Sequence, residues 1–203
     1  DAKIGDTTRF AAEIEMLDSD GTGDRTIATA DLAQSLDSET TVTVGVRHDD
    51  QEAGLFNTGL FSAGIIGNAI QNGQRTDAAL QLDYDPLGKN WSVYGFGQVT
   101  LDRDTTRQRN NRLGAGGKLE VSDKVTLGTE VSGGDGGLGA NVELAHRYGY
   151  GSEAYLGYAL LSDRNDLGLQ PLNSLASANR GTLTLGARHR FNTSLSIFGE
   201  NRI

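Results

Sequence analysis

The sequence predicts an all-β fold, an antiparallel up-and-down transmembrane β-barrel of about 11–12 strands, on three observations. Apolar residues recur at every second position in run after run, the period of a strand with one buried face. The connections between these runs alternate between short turns and longer polar stretches, as in barrels with tight turns at one end and longer loops at the other. Aromatic rings gather beside the short turns, where an interfacial girdle would lie. Little repeats at 3.6 residues over three turns, so helices are not expected.

The first run sets Phe10, Ala12, Ile14 and Met16 against Arg9, Glu13 and Glu15. Residues 26–36 read as a strand of ambiguous parity. In TTVTVGVRH (40–48), Val42, Val44 and Val46 share one face while Thr43, Gly45 and Arg47 share the other. Ala78, Leu80, Leu82 and Tyr84 oppose Gln81 and Asp83, and residues 91–101 form a further strand interrupted by Gly. Leu113, Ala115, Gly117, Leu119 and Val121 then oppose Lys118 and Glu120, and Val125, Leu127 and Val131 oppose Thr126 and Glu130. Leu138, Ala140, Val142 and Leu144 face away from Asn141, Glu143 and Arg147. After a candidate at 153–161, Leu183, Leu185 and Ala187 oppose Thr184, Arg188 and Arg190, and 195–202 closes the series. Most runs have the roughly 9–11 residues that a tilted strand needs to cross a bilayer.

The short turns are DSET (37–40), DPLGKN (85–90), SDK (122–124), YGYGS (148–152) and FNTS (191–194). Opposite them fall DSDGTGD (18–24), the Gly-rich 49–75, DRDTTRQRN (102–110), GGDGG (133–137) and 162–180. A weak repeat follows the turns, V-T-V-G at 42–45, W-S-V-Y-G at 91–95, V-T-L-G at 125–128 and L-S-I-F-G at 195–199. Its irregular spacing disfavours a solenoid. The segment 54–70 is too long and apolar for a turn; it is expected to fold into the lumen, lie as a short amphipathic helix, or hide a strand pair.

Composition narrows the functional classes. With 18 Lys and Arg against 27 Asp and Glu, the net charge is −9, so a phosphate backbone is repelled and nucleic acid is not an expected partner. There is no Cys, hence no disulfide framework, thiolate zinc site or cysteine nucleophile. The longest apolar stretches, such as LFSAGIIGNAI at 60–70, fall short of the roughly 20 residues a spanning helix needs. No charged n-region followed by an apolar h-region opens the sequence. Residues 1–203 are read as a single β-barrel domain or a fragment of one.

Strings such as NNRLGAGGKLEVSDKVTLGTEVSGGDGGLGA, EAYLGYALLSDRND and GTLTLGARHRFNTSLSIFGENR resemble Gram-negative outer-membrane β-barrels. More narrowly, they resemble the barrel regions of long repeat-containing surface proteins of proteobacteria. The resemblance implies residence in the bacterial outer membrane, partnership with the lipid bilayer and the barrel assembly machinery, no cofactor and no catalytic residues to carry over. Such barrels usually finish on an aromatic residue, whereas this sequence finishes ENRI. An odd number of strands conflicts with the even count of single-chain bacterial barrels. At least one strand is therefore expected from the rest of a larger chain or from another copy closing the barrel.

Several residues are candidates for chemistry. The polar face of the strands predicts lumen-facing charge at Arg9, Glu13, Arg47, Asp83, Lys118, Glu120, Glu130, Glu143, Arg147, Arg188 and Arg190, because unpaired ions in a dry core cost several kcal/mol each. Interfacial aromatics are expected at Tyr84, Trp91, Tyr148, Tyr155 and Phe191, with Tyr150 and Phe198 nearby. Asp18, Asp20 and Asp24 resemble half of a calcium loop, but Thr29 stands where an EF-hand has its glutamate; a solvated loop is the plainer reading. GGDGG is a permissive turn before it is an anion nest. His146 and His189 share the apolar parity at short-turn ends, and His48, beside Asp49 and Asp50, is the single nominee for a catalytic dyad. The expected function is a membrane anchor or narrow pore. The alternatives are a soluble secreted β-rich module binding sugar or calcium at its loops and, less favoured, a barrel enzyme.

Overall fold

The computed structural model describes residues 2–17, 24–51, 73–135, 137–160, 181–192 and 195–203. All described strands belong to one antiparallel sheet in which each pairs with its neighbours in sequence. They are β1 (Ala2–Ile4), β2 (Thr8–Leu17), β3 (Arg25–Ser35), β4 (Thr40–Gln51), β5 (Gly73–Tyr84), β6 (Trp91–Arg103), β7 (Arg112–Ser122), β8 (Val125–Gly134), β9 (Gly137–Gly149), β10 (Ser152–Leu160), β11 (Gly181–Arg190) and β12 (Ser196–Arg202). The eleven runs of the sequence correspond to β2–β12, and the three-residue β1 is additional. The sheet is not closed: among the described residues β1 pairs only with β2, and β12 only with β11. The described strands thus form an open up-and-down sheet, in line with the expectation that at least one strand is missing from this chain.

Register turns the sequence alternation into two continuous faces, because residues directly opposite across a ladder point to the same side. Phe10 lies opposite Leu32, Leu32 opposite Val44, and Val44 opposite Leu80. On the far side of the sheet Leu127, Leu144, Leu156 and Leu185 form a similar row. The other face reads Glu13, Thr29, Arg47, Asp77 and Thr100 across β2–β6. Burial follows the polar face. Leu138 is 77% exposed and Met16 75%, whereas Asp49 and Asp77 are each 1% exposed. A water-soluble sheet has the opposite arrangement, with its apolar side chains withdrawn from water.

The ambiguous parity of 91–101 has a structural cause. Tyr94 and Phe96 sit on the polar face of β6, opposite Gly116 and Gly114 of β7, and each ring occupies the space that a Cβ on the facing glycine would need. Outward on the same strand stand Trp91, Val93, Val99 and Leu101, with Gly95 and Gly97 between them. The strand thus carries large residues on both faces, which blurs its period in the sequence.

Loop sorting holds with two corrections. The turns at residues 36–39, 85–90, 123–124, 150–151 and 191–195 share one end of the sheet, and Gly88 and Gly151 there adopt φ of 70° and 68°, which glycine tolerates without steric cost. At the opposite end GGDGG is largely absorbed into strands, with β8 running to Gly134 and β9 starting at Gly137. The stretch 49–75 is also shorter than expected, because β4 continues to Gln51 and β5 begins at Gly73. Residues 54–70, for which a lumen segment, helix or strand pair was expected, lie outside the described residues.

Candidate functional site

The polar face gathers its buried charge near the ends of β3–β8 that carry the longer connections. Asp49 of β4 is the hub. Arg25 of β3 donates to it through Nε at 3.1 Å and Nη2 at 2.7 Å, the two-pronged geometry that suits a guanidinium and a carboxylate. Arg47, two residues back on the same face, reaches it at 3.6 Å, and Arg107, from the β6–β7 connection, at 3.1 Å. Asp77 of β5 accepts from Arg75 Nε at 2.8 Å and from Thr100 Oγ1 at 2.7 Å. The Thr100 hydroxyl in turn accepts from the Asn110 backbone N–H at 2.7 Å.

Further links hold the connection against the sheet. Arg75 Nη1 donates to the Gln108 carbonyl at 3.3 Å, and Arg103 donates to the Arg107 carbonyl. Arg112 Nη1 donates to Ser132 Oγ at 2.9 Å, joining β7 to β8. Two aspartates nearly sealed from water are therefore held by arginines from three strands and one connection. Partnering is what makes such burial tolerable, since removing one member leaves an uncompensated ion. Farther toward the short turns, Tyr94 donates to Glu130 at 2.5 Å, Gln81 donates to Asp83 at 2.8 Å, and Tyr155 donates to Glu200.

Register places Arg9, Glu13, Arg47, Asp83, Lys118, Glu120, Glu130, Glu143, Arg147, Arg188 and Arg190 on this one face. Of the cluster around Asp49 and Asp77 the sequence reading named Arg47; Asp49, Arg75 and Arg107 were missed because they fall in stretches that read as loop. A signal was present: Arg47 with Asp49 and Arg75 with Asp77 are opposite charges two residues apart, which in a strand puts them on the same side.

Two expectations are corrected, and a third lies largely outside the described residues. Tyr155 and Phe198 are not on the apolar face with Tyr84, Trp91, Tyr148 and Phe191; Tyr155 shares the polar face with Ala145 and Gly186, and Phe198 lies there opposite Arg188. His48 and Asp49 are successive strand residues and point to opposite faces, His48 meeting Thr76 Oγ1 at 2.9 Å while Asp49 joins the arginines. The His48–Asp49 pairing is thereby taken apart, whereas Asp50, two residues from His48, shares its face and accepts from Gln74 Nε2 at 3.2 Å. Asp18 and Asp20 lie outside the described residues, and Asp24 is exposed just before β3.

The apolar face has its own feature at the short-turn end. Tyr84 and Trp91 approach with ring centroids 5.9 Å apart. Tyr148 stacks on His189 at 5.9 Å, and His189 meets Phe191 edge-on at 4.4 Å. The hydroxyls of Tyr84 and Tyr148 donate to Glu39 at 3.2 Å and to the Arg188 carbonyl at 3.0 Å, so the rings meet apolar surface while their polar tips are satisfied. No family model, no curated protein and no solved structure matches the chain.

Proposed function

We propose that the protein is an outer-membrane β-barrel, or most of one, serving as the membrane anchor or narrow pore of a surface protein. The observation that carries this reading is the inverted polarity of the sheet, with the leucines and valines of one face open to the surroundings and Asp49 and Asp77 sealed on the other. Lipid suits the first face and a salt-bridged interior the second. Dimensions agree: from Trp91 to Leu101 the outward positions of β6 are all apolar or glycine. Ten residue steps at about 3.3 Å and a tilt near 40° give roughly 25 Å of apolar height. The rings of Tyr84, Trp91, Tyr148 and Phe191 fall at one edge of that band, where amphipathic aromatics favour headgroups.

A bilayer does not tolerate open strand edges, so the reading requires the free edges of β1–β2 and β12 to be paired by the rest of a larger chain or by another copy. Insertion would use the barrel assembly machinery. The test is circular dichroism and light scattering of the purified chain, with and without detergent micelles. A β spectrum and defined mass only in detergent are expected. A folded monomer in plain buffer would sink the reading and favour a soluble β-rich module.

A further inference from the structure

The two ends of the sheet share a property that the inner strands lack: each leaves a bare edge, and the two bare edges are equally long. Of the ten residues of β2, three lie opposite β1, from Phe10 against Ala2 to Thr8 against Ile4, and Ala11–Leu17 have no partner on that side among the described residues. β12 has seven residues, Ser196–Arg202, and among the described residues pairs on its β11 side alone. Every residue of β12 is exposed, as are Ala12, Glu13, Ile14, Glu15 and Met16 on β2. Such a bare row of N–H and C=O groups is a template for one more strand.

Chain direction selects that strand. β2 runs from the short turns toward the longer connections, with Thr8 opposite Gln34 and Leu17 opposite Arg25, and β12 runs the same way from Ser196 to Arg202. Placed side by side they would be parallel, whether in one chain or between two copies inserted the same way up. A ladder antiparallel to both needs a single strand between them, running back toward the short turns. β1 runs that way. The stagger of the sheet agrees. A row of directly opposed residues that starts at Ile4 passes Thr8, Val42, Leu82 and Ala140 and reaches Gly181 of β11. Leu183 and Ile203 exchange backbone bonds of 2.9 Å, so the row leaves β12 two positions beyond Ile203. Closing twelve strands about 4.8 Å apart at a tilt near 40° displaces such a row by about 14–15 residues. That displacement sets β12 against the continuation of β1 over about nine residues ahead of Ala2. The β1–β2 register, carried onward, sets the first seven of them opposite Ala11–Leu17.

We infer that both bare edges belong to one gap, a single strand wide, and that its occupant is the segment leading into Ala2, which prolongs β1 and pairs with β2 on one side and β12 on the other. Its neighbours set its pattern. Positions opposite Ala12, Ile14 and Met16 face outward and are apolar, and those opposite Glu13 and Glu15 face inward and favour Lys or Arg, because opposite charges across a ladder attract. The inference rests on the membrane reading above, since it is lipid that forbids a bare edge.

The test compares the chain as it stands with one extended ahead of Asp1 by an alternating Val and Lys segment, both folded in detergent micelles. Val is set opposite Ala12, Ile14 and Met16, and Lys opposite Glu13 and Glu15. The chain has no Cys, so engineered pairs report contact cleanly: Ala12→Cys and, separately, Gly199→Cys are combined with a cysteine scanned along the extension. Directly opposed strand residues lie about 4.5–5.5 Å apart at Cα, within disulfide reach. Cross-linking to both edges inside one chain is expected, with light scattering giving the mass of a single copy. Inserting one residue between the extension and Asp1 turns Val inward and should abolish both effects. The same segment after Ile203 runs in the needed direction but has to displace Ala2–Ile4 from Thr8–Phe10, and should act more weakly. Cross-links formed only between chains would overturn the inference and give the edges to a second copy, and an extension that cross-links to neither edge would overturn it outright. The two readings fail separately: folding in plain buffer removes the membrane reading, whereas detergent-dependent folding without the cross-links removes only the closing strand.

Discussion

At the residue scale the most consequential group is Asp49. It is 1% exposed and meets Arg25, Arg47 and Arg107, so neutralising it leaves guanidiniums crowded without their shared counter-ion. Asp49→Asn is expected to destabilise the folded protein by about 3 kcal/mol, the order seen when one partner of a buried ion pair is removed, measurable by urea titration in micelles. Asp37 acts differently. In the β3–β4 turn its carboxylate accepts from the Glu39 N–H at 2.8 Å and the Thr40 N–H at 2.7 Å, and these bonds, led by that of Glu39, hold its pKa below the ordinary carboxylate value. A carboxyl whose folded pKa is depressed stabilises above its unfolded pKa, and that contribution is lost as pH falls through the folded value. Carboxyl-carbon NMR of Asp37 should show the lowered midpoint, and Asp37→Asn should remove this part of the acid sensitivity.

At the element scale the two faces of a single strand make opposite predictions. In β9, Val142 is outward and Asn141 inward. If the proposed membrane placement holds, Val142→Lys should cost roughly 2–4 kcal/mol in a bilayer-folding equilibrium, and Asn141→Lys much less, because only the first would put an ammonium against lipid. Equal costs would contradict the orientation. The β6–β7 ladder offers a packing test. Gly116 lies beneath Tyr94 and close to the Thr129 carbonyl, so Gly116→Val must displace the ring whose hydroxyl donates to Glu130 at 2.5 Å. A blue shift and loss of near-ultraviolet dichroism from Tyr94 are expected, with destabilisation of about 1–3 kcal/mol from overpacking.

At the scale of the whole molecule, the open edges set the expectation. β1 contributes three residues and β12 seven, and each presents an unpaired backbone row that lipid would not tolerate. The chain in micelles should therefore run as a species larger than one copy, checked by light scattering. Adding a strand-forming segment after Ile203 should shift it toward a monomer. The arginine–aspartate cluster also spans the polar face from β3 to β8, which suits a narrow interior. Asp49→Asn is expected to raise any single-channel conductance across a planar bilayer.

The sequence by itself determined which segments are strands and which side chains share a face, because a period of two is a local property that each strand carries alone. Val42, Val44 and Val46 announce a face without reference to any other part of the chain. It did not reveal Asp49–Gln51 or Gly73–Arg75 as strand, since a polar run paired to another polar run has no apolar rhythm, and only the β4–β5 register brings Asp49 opposite Arg75. Nor did it separate Tyr155 from Tyr148: both flank the same turn, and their faces differ because a register shift between Ser152 and Glu153 resets the parity across β9 and β10. Tertiary structure alone decided which charges meet, how the glycines of β7 receive the rings of β6, and that among the described residues the two edge strands each pair on one side only, since each depends on residues distant in sequence whose alignment no local pattern encodes.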